Sequence, residues 1–135
     1  MLDELFKAKS IADEEWITGY LYRISESQNP FIMPPDSKGT SYEVDPSTIC
    51  RCTGKEYMDH EIAYEGDIFK SQSCGVIMVL KYGTYTAYCP ADKCCMESVG
   101  FYAEAAGYPQ MPIGDLSEYA IRLGNIFDNA ETLDN

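Results

Sequence analysis

Residues 16–24 alternate without a break. Trp16, Thr18, Tyr20, Tyr22 and Ile24 fall on one side, and Ile17, Gly19, Leu21 and Arg23 on the other. Successive side chains of an extended backbone point to opposite faces, so this period of two predicts a strand. The run from Gly75 to Tyr82 is rich in Val, Ile, Met and Leu and predicts a strand buried on both faces. Gly83 follows it, and Tyr85, Ala87 and Cys89 then alternate, so a hairpin turning at Gly83 is expected. Shorter extended pieces are predicted at 31–33, 41–46 and 48–52, and another starts at Asp67. Asp45 is pushed out of helical geometry by the proline that follows it. Leu2, Leu5 and Phe6 fit either a strand or a helical turn over 2–9, and residues 98–106 fit either a strand or a helix. Residues 90–115 read as irregular, with Pro90, Gly100, Gly107, Pro109, Pro112 and Gly114. Leu116, Tyr119, Ala120 and Leu123 have helical spacing. Short strands between frequent turns argue a small barrel.

Composition narrows the class. A chain of 135 residues is one ordinary domain, and its 45% apolar content with 11 tyrosines is that of a folded protein. The start Met1-Leu2-Asp3-Glu4 is acidic and lacks the basic region and apolar core of a signal peptide. With no run of 18 apolar residues, no membrane contact and a cytosolic location are expected. The net charge is −12, from 22 acidic and 10 basic side chains. Residues 1–70 hold 14 acidic and 7 basic groups and residues 71–135 hold 8 and 3, so the whole body is negative. Such a field repels phosphate backbones and favours basic partners, although acidity also serves solubility alone.

Candidate chemistry is sparse. Cysteines stand at 50, 52, 74, 89, 94 and 95, and the cytosol keeps such thiols reduced. Zinc sites usually present two Cys-x-x-Cys or Cys-x-x-His pairs, whereas here the spacings are Cys50-x-Cys52 and the adjacent Cys94-Cys95. Small buried hydrophobes and scattered free thiols are the simpler account, and no metal or cofactor is expected. His60 is the single histidine, and nothing in the sequence sets a cysteine beside it. Glu65 and Asp67 flank Gly66; on a strand they would share a face, at a spacing suited to a divalent cation. The structural account has Gly66 supplying an unusual backbone conformation and Asp67 bonding back to the turn. Trp16, Tyr20 and Tyr22 have the chemistry to stack on bases. With Arg23 as the single nearby cation, core packing or a partner surface fits them better.

Five phrases occur in a telling order: Glu15-Trp16-Ile17-Thr18-Gly19-Tyr20-Leu21, Tyr42-Glu43-Val44-Asp45-Pro46-Ser47-Thr48-Ile49, Thr53-Gly54, Tyr64-Glu65-Gly66-Asp67-Ile68 and Gly124-Asn125-Ile126-Phe127-Asp128-Asn129. Together they resemble the YopX family of phage and prophage proteins over roughly residues 6–133. The segment 55–61 lacks the family's usual glycine, and the cysteines and residues 90–112 have no counterpart in it. The resemblance implies a mainly β domain spanning 1–135. Its N-terminal β part would cover about 1–60 and a C-terminal SH3-like barrel about 61–135, with a strand over about 119–126. It implies a phage or prophage origin and no catalytic residues.

The expected function is therefore a non-catalytic, acidic interaction module in the bacterial cytoplasm. It would bind a host or phage protein with a basic surface, and in a sharper form block a nucleic-acid-binding defence factor. Trp16, Tyr20, Tyr22, Glu65 and Asp67 are the candidate binding residues. No direct nucleic-acid contact is expected, and exposed barrel edges leave room for a homo-oligomer. The alternative is a small metal-dependent enzyme acting on nucleotides or nucleic acid through Glu65 and Asp67.

Overall fold

The computed structural model describes residues 5–36, 38–89, 91 and 93–134. Met1–Glu4, Leu2 included, and Pro90 lie outside them. The protein is mainly β, with curled antiparallel sheets of half-barrel form. Among the described residues helical geometry is confined to short 3-10 turns such as Pro46–Thr48 and Leu116–Glu118. The helical spacing at 116–123 therefore yields one such turn, followed by a strand. No described helix is long and apolar enough to cross a membrane. The chain divides into two compact units, Met1–Gly54 and Lys55–Asn135.

The first unit contains β1 (Phe6–Lys9), β2 (Trp16–Tyr22), β3 (Phe31–Met33), β4 (Tyr42–Glu43) and most of β5 (Cys50–Glu56). They lie in the order β4-β3-β2-β1-β5, with all four neighbouring pairs antiparallel. The segment 6–9 is extended because Phe6 and Ala8 alternate with Lys7 and Lys9. Ala8, Ile32 and Val44 are fully buried, and Phe6, Ile17, Leu21 and Ile49 pack against them. The inner face of β2 is thus the one without the large aromatics. Gly19 belongs there for lack of room: a Cβ would fall on the Met33 carbonyl and within 2.8 Å of Pro34 Cα. Asp45 caps the turn at Pro46–Thr48, its Oδ1 accepting from Ser47 N at 3.0 Å. Thr48 Oγ1 accepts from Lys9 N at 2.8 Å, which ties that turn to β1.

The second unit contains β6 (Ile62–Tyr64), β7 (Asp67–Ser71), β8 (Ile77–Cys89), β9 (Cys94–Glu104), β10 (Met111–Pro112) and β11 (Ala120–Asn125). Five of these form a sheet in the order β10-β9-β8-β7-β11, antiparallel throughout. Its core gathers Tyr57, Ala63, Phe69, Leu80, Ala103 and Leu116, all but sealed from solvent. Burying a side chain the size of Phe69 or Leu80 contributes roughly 1.5–3 kcal/mol.

Two expectations fail here. Gly83 does not turn the chain: β8 continues through it to Cys89, and Gly83 pairs with Gly100 on β9. The irregular reading of 90–115 likewise fails over 94–104, a long strand, and of the two alternatives for 98–106 the strand holds as far as Glu104. The alternation of Tyr85, Ala87 and Cys89 continues one strand, and Thr84, Thr86 and Val99 favour extended backbone. The glycines bend the ribbon instead of ending it. Their φ values, +149° and +154°, lie where side chains are rarely tolerated. Beyond the bend Thr86 N–H meets Gln110 Oε1 at 3.2 Å, and Gln110 Nε2 donates to Glu104 Oε2 at 3.2 Å. Side-chain atoms thus occupy a strand-edge position.

Candidate functional site

Trp16, Tyr20 and Tyr22 stand at positions 1, 5 and 7 of β2 and so share one face. It is the face turned away from Ile17 and Leu21, which explains why Tyr20 is 41% and Tyr22 40% exposed. Register extends the surface onto neighbouring strands. Tyr20 lies opposite Met33 and Tyr22 opposite Phe31. The Tyr22 and Phe31 rings stack at 5.6 Å with 19° between their planes. On the other side Lys9 pairs with Trp16 and Lys7 with Thr18. Their ammonium groups lie 4.7 Å (Lys7) and 5.4 Å (Lys9) from the Trp16 ring centroid. Such contacts contribute roughly 0.5–1 kcal/mol each and hold the indole in one place. The result is a pre-ordered row of aromatic rings with cations at one end.

The two carboxylates sit elsewhere and differently. Glu65 and Gly66 form the turn between β6 and β7, with Gly66 at φ +90°. Gly66 is held at both backbone atoms, its N–H by Leu80 O at 2.7 Å and its carbonyl by Ile126 N at 2.9 Å. Glu65 is therefore half-buried in a turn and not on a strand beside Asp67. Asp67 opens β7 and is fully buried. Its Oδ2 accepts from Tyr57 Oη at 2.8 Å and from Tyr64 N at 2.9 Å. Its Oδ1 faces Arg122 Nε at 3.5 Å. Burial, then the charge of Asp67 and its hydrogen bond, push the Tyr57 phenol far above the usual tyrosine range. This cluster joins β7, β11 and the Tyr57 segment, and its carboxylate points inward.

Among the described residues no group of three or more His, Cys, Asp or Glu side chains is placed to hold a metal ion. Cys50 and Cys52 are buried on β5, while Cys74, Cys94 and Cys95 are exposed thiols. The Cys89 side chain lies outside the described part. His60 is exposed, with Nδ1 3.2 Å from Glu56 Oε1.

Compared with known proteins, the chain matches no family model, no curated protein and no solved structure. Several residues of the five phrases have physical jobs. Asp45 caps a turn, Gly54 and Gly66 take positive φ, and Asp67 fixes the β6–β7 turn. Asn125 Oδ1 accepts from Phe127 N and Asp128 N at 2.9 Å each, closing the chain back on β11.

Sequence reasoning missed Lys7 and Lys9 beside Trp16, Phe31 under Tyr22, and the Tyr57 and Arg122 partners of Asp67. The alternation Phe6-Lys7-Ala8-Lys9 carried the signal for the lysines. Arg122 and Tyr57 lie 55 and 10 residues from Asp67, and nothing local announces them.

Proposed function

We propose that the protein is a non-catalytic interaction module of the YopX kind, acting for a phage or prophage in the bacterial cytoplasm. In this reading the first unit grips a host or phage protein through the Trp16–Tyr20–Tyr22 face. The second unit is an SH3-like half-barrel. The observation that carries the reading is the outward row of aromatic rings on β2. The exposed Tyr22 ring, already stacked on Phe31, loses little freedom on binding, and Tyr and Trp dominate the energetics of protein interfaces. The acidity of the chain favours a partner with a basic surface, such as a nucleic-acid-binding defence factor.

The test is capture from bacterial lysate, with and without infection, using wild type and a Tyr20→Ala/Tyr22→Ala variant. Both side chains lie outside the buried core cluster of the first unit, and circular dichroism checks that the variant keeps its fold. One stoichiometric partner is expected, with at least tenfold weaker retention by the variant, about 1.4 kcal/mol. Equal capture by the two proteins removes the aromatic face from the reading. No partner under any condition removes the reading itself.

A further inference from the structure

β8 and β9 keep one register from Val79–Glu104 to Cys89–Cys94. The Leu80 carbonyl accepts from Gly66 N at 2.7 Å, and Thr86 N donates to Gln110 Oε1 at 3.2 Å. The even-numbered residues of β8 therefore aim their backbone groups away from β9. Antiparallel pairing gives their partners the same phase, so Cys95, Glu97, Val99, Phe101 and Ala103 aim theirs away from β8. β10 takes up this outer edge at Tyr102 and Ala103. Among the described residues no strand pairs with it from Cys95 to Phe101. At a strand's rise per residue that free edge is about 23 Å long.

Long bare edges are templates for strand addition, and folded proteins guard them. Here β4 and β10 are two residues long, a bulge between Arg122 and Gly124 interrupts β11, and Gln110 covers Thr86 on β8. The β9 edge has none of these devices. Residues 94–97 are exposed along it, and Val99 is 73% exposed. A two-stranded ribbon is marginally stable alone in water, so this one gains from a third strand. Charge says whose strand. From Tyr82 to Phe101 the chain holds Asp92, Glu97 and Lys93, a net −1 within a total of −12. Such a ribbon does not draw a basic partner but suits an equally neutral strand, which a second copy supplies. The free stretch is also centred on one residue, Ser98.

We propose that β9 pairs antiparallel with β9 of a second copy about a twofold axis at Ser98. Cys95 then stands opposite Phe101, Met96 opposite Gly100 and Glu97 opposite Val99. Every outward N–H and C=O from Cys95 to Phe101 is used, and no like charges meet across the seam. An axis at Glu97 would set that carboxylate against its own copy. The contact is isologous and joins two five-stranded sheets into one. This inference does not depend on the aromatic face of β2.

The experiment is sedimentation equilibrium of the whole protein across the micromolar range. A mass twice the 15.2 kDa of one chain is expected. Val99→Pro removes an outward N–H that β8 does not use, and weakens the dimer roughly tenfold or more. Val99→Glu sets like charges opposite each other and weakens it too, whereas Val99→Lys faces Glu97 and keeps the dimer. Should the proline variant lose its circular dichroism, the two charged variants decide. Amide exchange read by NMR slows with concentration at Glu97 and Val99, while Met96 and Ser98, bonded to β8, are slow throughout. The Tyr20→Ala/Tyr22→Ala variant dimerises like wild type. A single-chain mass at every concentration, equal behaviour of Val99→Glu and Val99→Lys, or a dimer lost with the two tyrosines overturns the proposal. A monomeric wild type that captures a lysate protein through Val99 would give the edge to another protein's strand, and overturns it as well.

Discussion

Asp67 shows how one buried side chain sets local chemistry. Its carboxylate accepts from Tyr57 and Tyr64 and faces Arg122. A carboxylate removed from water is tolerated only when it is paired and hydrogen-bonded. Tyr57 shares the cost, since ionising its phenol would set a second negative charge against Asp67 in a buried site. The folded value of Tyr57 lies above its unfolded value of about 10. Its stabilising contribution is therefore complete below about pH 10 and declines as pH rises beyond that. Chemical denaturation from pH 8 to 11 is expected to show stability falling above pH 10. Tyr57→Phe should lower stability at pH 8 by about 2 kcal/mol, because a hydrogen bond to a charged group is lost, and should flatten the alkaline decline. An unchanged decline in that variant would assign it to other groups. The role of Asp67 in the turn was legible from Gly66-Asp67 alone, because that bond is local. Arg122 was not, because it arrives through the pairing of β11 with β7.

The β8–β9 ribbon carries the lesson at the level of elements. Period-two alternation located β2, and the apolar run located β8. The reading stopped at Gly83 because glycine there looked like punctuation. Only the pairing with Gly100, 17 residues away, shows that two glycines face each other across a bend. A single glycine in a strand is ambiguous between a turn and a bend, and the partner strand decides. Both positions have open space for a Cβ, so backbone strain alone resists a side chain. Gly83→Ala and Gly100→Ala are each expected to cost about 1–3 kcal/mol. Thermal denaturation of the two single variants measures this. Wild-type melting in both would mean that the bend tolerates an ordinary residue. The face of β2 that is core was also hidden from the sequence. Either face is apolar enough to be buried, and Gly19 against Met33 and Pro34 settles it.

For the molecule as a whole, charge is the dominant global property. The first unit carries nine acidic and five basic groups, a net −4, and the second thirteen and five, a net −8. Excess negative charge in a compact state repels itself, and salt relieves that repulsion. The melting temperature is expected to rise by a few degrees between about 10 and 150 mM salt, as the Debye length shortens from roughly 30 to 8 Å. A fall would show that specific ion pairs such as Lys81–Glu104, at 2.7 Å, outweigh the general repulsion. Affinity for a basic partner moves the other way with salt, so the two measurements separate self-repulsion from recognition. Mainly β architecture was legible from alternation and turn residues. For the division at Gly54 no composition shift or linker is a guide, and the expected boundary near residue 60 came from the resemblance of the five phrases alone.

Trp16 is the single tryptophan of the chain, and it lies in the proposed contact row with two ammonium groups near its ring. Indole emission responds to nearby charge and to water. The molecule thus carries a built-in optical reporter on its aromatic face, and anything that settles there can be followed by fluorescence without a label.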